Sequence, residues 1–344
     1  MKFSMSLPLV RDLTDRAPYR KTLELLALAE EAGFDTVTIG QHHFRQGDPA
    51  DPLTLLAGFI THTERLRFST GIHILPIHHP LLVAEQVATL DQLSGGRVTL
   101  GAGIGWNQQE YRVFGADFAR RGALMEEALE ILKLVWEHEN TSYQGKFFDF
   151  EELTVYPRPV QLPSPPLWVA GAKHVAVRRA ARRGDAWLCG PVEALSSVLE
   201  LLPTYQSACA ELGKEPEWVL RRFGWVKPTR REVEEEMLPR YVNGLVAHWR
   251  ESTEVAESRE IVRRLDEGAD IPAAEIARDR LLWGSPDDVI TQIRRFEKLT
   301  GAHHVHIAFG NGIPATGVDK AFMGEFEELA DMIRLYGRHV IDAY

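Results

Sequence analysis

Short runs of β-branched and apolar residues recur along the chain, and segments with helical spacing separate them. Leu25, Leu28, Ala29 and Ala32, for example, share one helical face and are followed by Gly33, which is typical of an amphipathic helix with a glycine stop. This alternation predicts parallel strands joined by crossover helices. The eight predicted strands are 2–7, 35–39, 67–75, 97–100, 167–170, 186–189, 223–226 and 305–309.

Between these strands, helices are predicted around 81–93 and along a face that includes Met125 and Leu132. Another helix is predicted to start at Ser285, because Ser285 suits the cap, Pro286 the first turn and Asp288 the positive end of the dipole. The proline-rich stretch 157–166 is predicted to be a connector. Eight strands with helices between them predict an α/β fold, a closed TIM (β/α)8 barrel, formed as a single domain over residues 1–344.

Residues 228–282 interrupt this rhythm with a highly charged segment that includes Glu234, Glu235 and Glu236. The segment is too long for an ordinary loop between the seventh and eighth strands. We therefore expect a mostly helical insertion within the barrel domain. It serves either as a lid at the catalytic mouth or as a solvated surface appendage, and the sequence leaves both open.

Composition narrows the classes of partner and the compartment. The chain has 344 residues, and 49 acidic against 39 basic residues give a net charge of −10, which opposes nucleic-acid binding. We see neither a signal-peptide pattern at the N-terminus nor an apolar run of about 20 residues, so no membrane association is expected. Two cysteines, Cys189 and Cys209, suit a reducing compartment as buried fillers. We expect a cytoplasmic protein.

Candidate chemistry is concentrated just after the predicted strands, where the active site of such a barrel lies. Histidines follow the second strand at His42 and His43 and recur near the third strand at His73, His78 and His79. A histidine there suits acid–base chemistry, although a hydrogen-bonded histidine without a catalytic part explains the spacing as well. His304 and His306 share a strand face, but no third ligand stands at a recognisable spacing, so no metal site is predicted.

The glycine run Gly101, Gly103 and Gly105 follows the fourth predicted strand. It is a poor dinucleotide motif, because Trp106 stands where the last glycine would be required. Small residues at a strand end also let a flat ring system approach the backbone. A tight strand-to-helix turn is the alternative explanation.

Several motifs together resemble one family. They are Glu31-Ala32-Gly33-Phe34-Asp35 leading to His42-His43-Phe44, Leu75-Pro76 with His79-Pro80, Leu90-Asp91-Gln92-Leu93-Ser94-Gly95-Gly96-Arg97, Tyr111-Arg112-Val113-Phe114-Gly115 and Gly284-Ser285-Pro286. In this order they are similar to the bacterial luciferase-like flavin-dependent monooxygenases. The similarity extends from residue 1 to about 190 and resumes near residue 284.

The resemblance implies a luciferase-like barrel that binds reduced FMN and reacts with O2 through a C4a-peroxyflavin. His42 is the implied catalytic residue and His43 a structural one. The flavin ring is implied to lie over the strand ends at Gly71, Ile72, Gly103, Ile104 and Asn107, with a non-proline cis peptide between Thr70 and Ile72. We assign Gln41 and Trp106 to substrate contact.

The phosphate of the cofactor is implied to lie at the start of the helix after the fifth strand. Ile104 stands where luciferases have an arginine, and Lys173 and Ala176 stand where they have serine and threonine ligands. Gly171, Ala172, Lys173 and His174 open this helix, and its N-terminal amides favour an anion. Lys173 and His174 are therefore the expected substitutes.

The resemblance also implies function and partners. The leading hypothesis is a two-component monooxygenase that oxidises a small organic substrate and receives reduced FMN from a separate flavin reductase. One alternative is a hydride-transfer oxidoreductase that uses a deazaflavin coenzyme, and another is a non-catalytic flavin-binding or partner subunit. A homodimer is expected through the helices after the first three strands, where Leu53, Leu55, Leu56 and Phe59 offer apolar surface unless they are buried in the monomer.

Overall fold

The computed structural model describes residues 1–9, 16–17, 19–45, 48–191, 194–252, 256–309 and 326–344. Its strands are β1 Lys2–Ser6, β2 Thr36–Ile39, β3 Arg67–Thr70, β4 His73–Ile74, β5 Val98–Gly103, β6 Thr141–Gln144, β7 Asp149–Leu153, β8 Leu167–Ala170, β9 Ala186–Leu188, β10 Trp218–Val226, β11 Leu281–Gly284 and β12 His304–Phe309. All eight predicted strands are present; the bounds of 167–170 are unchanged and those of the others differ.

The helices occupy most of the chain between the strands. They are α1 Arg20–Glu31, α2 Pro52–Ile60, α3 Pro80–Ser94, α4 Gln108–Val113, α5 Arg121–Glu137, α6 His174–Arg183, α7 Leu195–Glu211, α8 Arg230–Glu232, α9 Leu238–Ser252, α10 Ala256–Asp266, α11 Ala273–Ala277, α12 Pro286–Thr300 and α13 Phe326–Leu335. Single 3₁₀ turns occur at Leu75–Ile77, Phe118–Arg120 and Ile341–Ala343, and π-helical turns at Val233–Met237 and Tyr336–Val340.

Local sequence signals explain where helices begin and end. The Ser285 hydroxyl accepts a hydrogen bond from the Asp288 amide, and the Asp288 carboxylate accepts one from the Ser285 amide, which forms the capping box predicted for α12. After α3, Gly95 takes a left-handed conformation with φ of 64°, as a glycine C-cap does. The proline-rich connector contains no helix or strand, and its Tyr156–Pro157 and Leu162–Pro163 peptides are cis.

The chain divides into two compact units. Unit 1 comprises Met1–Phe34, Gly190–Glu200 and Leu220–Tyr344, and unit 2 comprises Asp35–Cys189 and Leu201–Val219. In unit 1, β12 pairs with β1 and β10, and β11 pairs with β10, all in parallel. A single domain over the whole chain stays a prediction.

Unit 2 contains a parallel sheet in the order β2, β3, β5, β8 and β9, with the first residues of β10 beside β9 and with β4 beside β5. One face is apolar, since Val37 pairs with Phe68 and Phe68 with Val98, and all three are buried. The opposite face carries the small polar row Thr38, Ser69 and Thr99. The residues of both faces are buried, as is usual for a parallel sheet.

The structure corrects several predicted boundaries. The third predicted strand divides into β3 and β4 and ends in a 3₁₀ turn. The fourth continues through Gly103, so Gly101 and Gly103 lie inside β5 and not after it. The sequence analysis gave no strands for the antiparallel hairpin β6–β7, because its side chains are largely polar and lack an apolar alternation.

Residues 228–282 contain α8 to α11 and the first residues of β11, a strand that the sequence analysis did not predict. In unit 1 the apolar side chains Tyr241, Leu245 and Trp249 of α9 are buried, whereas the glutamates at 234–236 are exposed. A purely solvated appendage does not explain this burial. The role of a lid stays a prediction.

The apolar residues offered as a dimer surface are mostly internal. Leu53, Leu56 and Phe59 are at most 4% exposed, and Leu55 is partly exposed. They pack within unit 2, so they do not support the expected homodimer.

Cys189 and Cys209 are buried and free. None of the helices in the described part of the chain has the length and apolarity needed to span a membrane.

Candidate active site

The carboxyl ends of β2, β3, β5 and β8 lie side by side in unit 2. Ile39 pairs with Thr70 at the ends of β2 and β3, and Ala102 pairs with Val169 near the ends of β5 and β8. At about 4.8 Å between strands, this edge spans about 14 Å from β2 to β8. In order it presents His42, the Gly71–Ile72 segment, Gly103 and Gly171. The predicted cofactor positions therefore share one edge of the sheet.

Glycines allow the neighbouring strand ends to approach closely. A Cβ on Gly103 would lie 2.9 Å from Ile72 Cγ1, and a Cβ on Gly71 would lie 2.7 Å from Thr38 Oγ1. Neither position has room for a side chain. The Gly71–Ile72 peptide is cis, which confirms the expectation of a non-proline cis peptide at this strand end.

Gln41 lies at the centre of a buried polar cluster behind the His42 loop. Its side chain is 3% exposed. Gln41 Oε1 accepts a hydrogen bond of 2.7 Å from the Ile74 amide, and Gln41 Nε2 lies 3.0 Å from His43 Nε2 and 3.1 Å from His78 Nε2. Nε2 also donates to the Ala50 carbonyl at 3.1 Å. These protein contacts favour a positioning role over the predicted substrate contact.

Two further histidines complete this cluster. The His73 and His78 rings stack with centroids 4.3 Å apart, and both ring nitrogens of His73 are buried without a hydrogen-bond partner. Burial lowers the pKa of His78 to about 4, with His43 lowering it and Asp51 raising it. Burial, together with His78 and His43, holds the pKa of His73 well below its usual range. Both rings are therefore neutral at pH 7.

Glu110 holds the backbone of the same loop from α4. Its Oε1 accepts a hydrogen bond of 2.8 Å from the His43 amide, and the side chain is 1% exposed. Burial raises the pKa of Glu110, and the His43 amide partly offsets this effect. Burial also lowers the pKa of His43, against the opposing charge of Asp51. Glu110 thus fixes the backbone of this loop through the His43 amide.

His42 lies between Gln41 and His43 and is partly exposed. Its amide donates to the Pro49 carbonyl at 2.9 Å. The side chains on either side of it, those of Gln41 and His43, contact each other.

The loop after β5 presents residues of different exposure. Tyr111 donates from its hydroxyl to the Ile104 carbonyl, which secures the loop against α4. Trp106 is 52% exposed. The Asn107 side chain accepts a hydrogen bond from the Gln109 amide and caps α4, so its carboxamide already has a structural role. An open surface depression of about 550 Å³ lies along α4, and none of the predicted cofactor residues lines it.

The loop after β8 leads directly into α6. Lys173 is the N-cap residue, and the first turn contains no acidic side chain. Ala172, Lys173 and His174 are exposed, and His174 Nδ1 lies 2.8 Å from Thr204 Oγ1. The Gly171 carbonyl accepts a hydrogen bond from Trp187 Nε1 at 2.8 Å. This helix start has the chemistry of an anion site.

Ion pairs to α5 hold α6 in place. Arg179 Nε lies 3.0 Å from Glu126 Oε2, and Arg183 Nη2 lies 3.0 Å from Glu130 Oε2. Arg179 is buried in this network. Arg178 is exposed.

His304 and His306 belong to unit 1, whereas the candidate site residues described above belong to unit 2. His306 contacts Ser4 through Nδ1 at 2.9 Å and Ser6 through Nε2 at 3.0 Å, and His304 Nε2 contacts Ser4 at 3.0 Å. Burial and Lys2 lower the pKa of His304 to about 3. Among the described residues, no group of three or more His, Cys, Asp or Glu side chains is arranged to hold a metal ion.

The sequence analysis did not predict the roles of His73, His78 and Glu110 around the His42 loop. Both histidines were noted near a strand end, but the contact of His78 with Gln41 and the stacking of His73 on His78 depend on tertiary packing. Glu110 is adjacent to a recognised motif and carries no local signal of burial.

Comparison with known proteins decides the family. The model of the family described as luciferase-like monooxygenase matches residues 1–303. The chain belongs to this family. Several curated relatives are matched over less than two thirds of their own length, 65% in one case and 56% in another.

Family relatives include users of two different cofactors. The chain is 27% identical to the oxygenase component of a flavin-dependent trigonelline monooxygenase of Acinetobacter baylyi, over 68% of this chain and 67% of that protein. It is 26% identical to an F420-dependent glucose-6-phosphate dehydrogenase of Segniliparus rotundus, over 85% of this chain and 89% of that protein. Membership of the family alone therefore does not decide whether this chain uses FMN or F420.

Solved structures show the fold. A monooxygenase of Streptomyces bottropensis matches with a TM-score of 0.77 and 24% identity, covering 100% of both chains. The oxygenating constituent of 3,6-diketocamphane monooxygenase of Pseudomonas putida, in complex with FMN, matches with a TM-score of 0.76 and 19% identity over 99% of this chain and 98% of that one. The predicted luciferase-like α/β barrel with eight parallel strands is confirmed.

Proposed function

We propose that this luciferase-like protein is a flavin-dependent monooxygenase that takes reduced FMN from a separate reductase and uses O2 to oxidise a small organic substrate. The observation that carries the proposal is the shared strand edge in unit 2, from the His42 loop to the start of α6. The A. baylyi relative, an oxygenase component, supports the two-component arrangement.

The residues of this edge suit FMN in shape and charge. Ile72 and Gly103 form an apolar surface without a protruding side chain at Gly103, which suits a flat ring beside Gly71 and Ile104. At the other end, Lys173 and His174 add positive charge to the N-terminus of α6, which suits a phosphate near Gly171 and Ala172. Bound reduced flavin supplies the electrons that activate O2.

Within this proposal His42 holds or moves a proton at its imidazole beside the flavin ring. An imidazole does so readily near neutral pH. His43 is structural, because its ring contacts Gln41 and its amide is held by Glu110. Trp106, half exposed beyond Gly103, is a candidate for substrate contact.

The second candidate is a hydride-transfer oxidoreductase that uses a deazaflavin. The specific observation in its favour is the F420-dependent relative, which aligns over a larger share of this chain than the flavin-dependent one does. The same strand edge suits both cofactors.

A non-catalytic partner subunit is the third hypothesis. Cytoplasmic location and homodimerisation are proposals as well.

One experiment separates these functions without knowledge of the substrate. Purified protein is titrated anaerobically with reduced FMN and, separately, with oxidised F420, and each mixture is then exposed to O2 in a stopped-flow spectrophotometer. We expect micromolar binding of reduced FMN and a rate of flavin reoxidation that differs from that of free FMN. Tight binding of F420 with unchanged FMN reoxidation would establish the second candidate, and binding of FMN with unchanged reoxidation would support the partner subunit.

A further inference from the structure

The Gln41 amide is fixed in one orientation. A backbone amide only donates, so the group 2.7 Å from the Ile74 nitrogen must be the Gln41 carbonyl oxygen. The Gln41 nitrogen therefore faces His43, His78 and Ala50. This assignment needs no assumption about either histidine.

The orientation of Gln41 determines which histidine nitrogens carry protons. The Gln41 NH2 group has two hydrogens for three acceptors, the Ala50 carbonyl and the two histidine rings, so one hydrogen is shared. The amide nitrogen does not accept, so a ring nitrogen that faces it at this distance must present a lone pair and not an N–H. His43 and His78 both approach it through Nε2, at 3.0 and 3.1 Å. Each ring is then neutral and has its proton on Nδ1.

We propose that Gln41 is a positioning residue that holds His43 and His78 as neutral Nδ1–H tautomers and thereby fixes the loop that presents His42. Gln41 joins three parts of the chain in this way, namely the loop after β2, strand β4 and the turn that precedes α3. The connection to His42 rests on the proposed function, whereas the tautomer assignment does not.

The surroundings of the two histidines favour their neutral forms. His73 stacks on His78 and has no hydrogen-bond partner for either ring nitrogen, so it offers no charge to stabilise a protonated neighbour. Glu110 binds the His43 amide and not its ring, and the Asp51 carboxylate is engaged by the Thr54 amide and hydroxyl. Arg45 and Asp48 pair with each other. Burial lowers the pKa of both rings, which agrees with this arrangement.

Two substitutions separate the role of the donor from that of packing. Gln41→Glu keeps an oxygen for the Ile74 amide but replaces the donor by an acceptor, so His43 and His78 must place a proton on Nε2. Gln41→Met keeps the approximate volume and removes both functions. Gln206→Glu, at an exposed position of α7, makes the same charge change away from the cluster.

The decisive measurement is long-range ¹H–¹⁵N NMR of protein with ¹⁵N-labelled histidine at pH 7.5 without ligand, with resonances assigned through single His43→Gln and His78→Gln variants. We expect the Nδ1–H form of both rings to exceed the Nε2–H form by more than about tenfold in the wild type, the ratio given by one net hydrogen bond. Gln41→Glu should reverse this ratio or protonate both rings, and Gln206→Glu should leave it unchanged. Dominant Nε2–H tautomers in the wild type would overturn the proposal.

Reduced-flavin kinetics test the connection to His42. We expect Gln41→Glu to move the acid limb of the pH profile of flavin reoxidation to higher pH, with less than a twofold change in the Kd of reduced FMN. A purely structural role predicts equal losses in Gln41→Glu and Gln41→Met and no movement of the profile, which would overturn the positioning role. If the tautomers are as expected but wild-type protein leaves flavin reoxidation unchanged, the proposed function fails and the tautomer assignment stands.

Discussion

Single residues in the His42 loop differ in their contacts and in their burial. Gln41 and His43 face the buried cluster, in contact with His78. His42 lies between them and is partly exposed at the strand edge. This division places the proposed chemistry on one residue and the support of the loop on its neighbours.

We predict that His42→Ala lowers substrate oxidation by about 10²-fold, the usual scale for loss of acid–base help, with little change in flavin affinity. Released hydrogen peroxide should rise, because reduced flavin still reacts with O2 while substrate is not oxidised. His43→Ala is the matched control. It should mainly lower the free energy of unfolding, by about 1 kcal/mol, because it removes one hydrogen bond of Gln41 while the Ala50 carbonyl and His78 still accept from the amide. Wild-type turnover and coupling in His42→Ala would remove the catalytic assignment.

Substitution of Gly101 tests the close packing of β5 against β3. A Cβ at this position would lie 1.9 Å from the Thr70 carbonyl oxygen. Backbone cannot move aside as a side chain does, so Gly101→Ala should cost more than about 3 kcal/mol, the upper end for ordinary overpacking. Gly58→Ala in the exposed face of α2 has nothing within 4 Å, and it should stabilise by about 0.5–1 kcal/mol. Urea denaturation of both variants measures the difference, and similar midpoints would contradict this account.

At the scale of elements, α6 matters because its N-terminus stands at the end of the shared strand edge. Ion pairs to Glu126 and Glu130 of α5 anchor its later turns, and its first turn is exposed with Lys173 and His174. The helices of 228–282 belong to unit 1, and only ligand-dependent proteolysis between Thr229 and Arg280 would show whether they act as a lid.

We predict that Lys173→Gln weakens FMN binding about tenfold, which corresponds to loss of one charge-assisted hydrogen bond of roughly 1.5 kcal/mol. Riboflavin has the same ring system without phosphate, so its Kd should not change. Fluorescence titration with both flavins makes this comparison. Equal weakening of the two would place the effect at the ring and argue against a phosphate site on α6.

At the scale of the whole molecule, buried neutral histidines make stability depend on pH. Burial lowers the pKa of His78 to about 4 and that of His304 to about 3, below the ordinary value near 6.5. Between pH 6.5 and about 4 the unfolded chain binds more protons than the folded one, so stability falls as pH falls.

We therefore predict a loss of about 1.4 kcal/mol per pH unit for each such histidine below pH 6.5, in addition to the effect of carboxylates. Urea denaturation between pH 7.5 and 4.5 measures the slope. His78→Gln should reduce this slope by about 1.4 kcal/mol per pH unit within this window, which corresponds to one proton. An unchanged slope in that variant would mean that His78 titrates alike in the folded and unfolded chain.

We predict a homodimer, although its surface is not the one chosen from sequence, since Leu53, Leu56 and Phe59 are buried within unit 2. Light scattering at micromolar concentration should give twice the mass of one chain. A mass of one chain throughout this range would exclude the dimer.

The sequence by itself determined the order of strands and helices, the family and the positions of the strand-end motifs. These features depend on local spacing, on caps such as Ser285 with Asp288, and on glycines such as Gly95 that end helices. Boundaries were less accurate, because the continuation of β5 through Gly103 depends on pairing with β4 and β8, which local propensity does not report.

Only the tertiary structure decided what surrounds the His42 loop. Gln41 and His78 are 37 residues apart, and His43 and Glu110 are 67 residues apart, so no local pattern relates them. Burial at their meeting point sets the protonation of each group, and burial is a property of the packed elements. The sequence placed His42 at a strand end, and packing assigned Gln41 and His43 to its support.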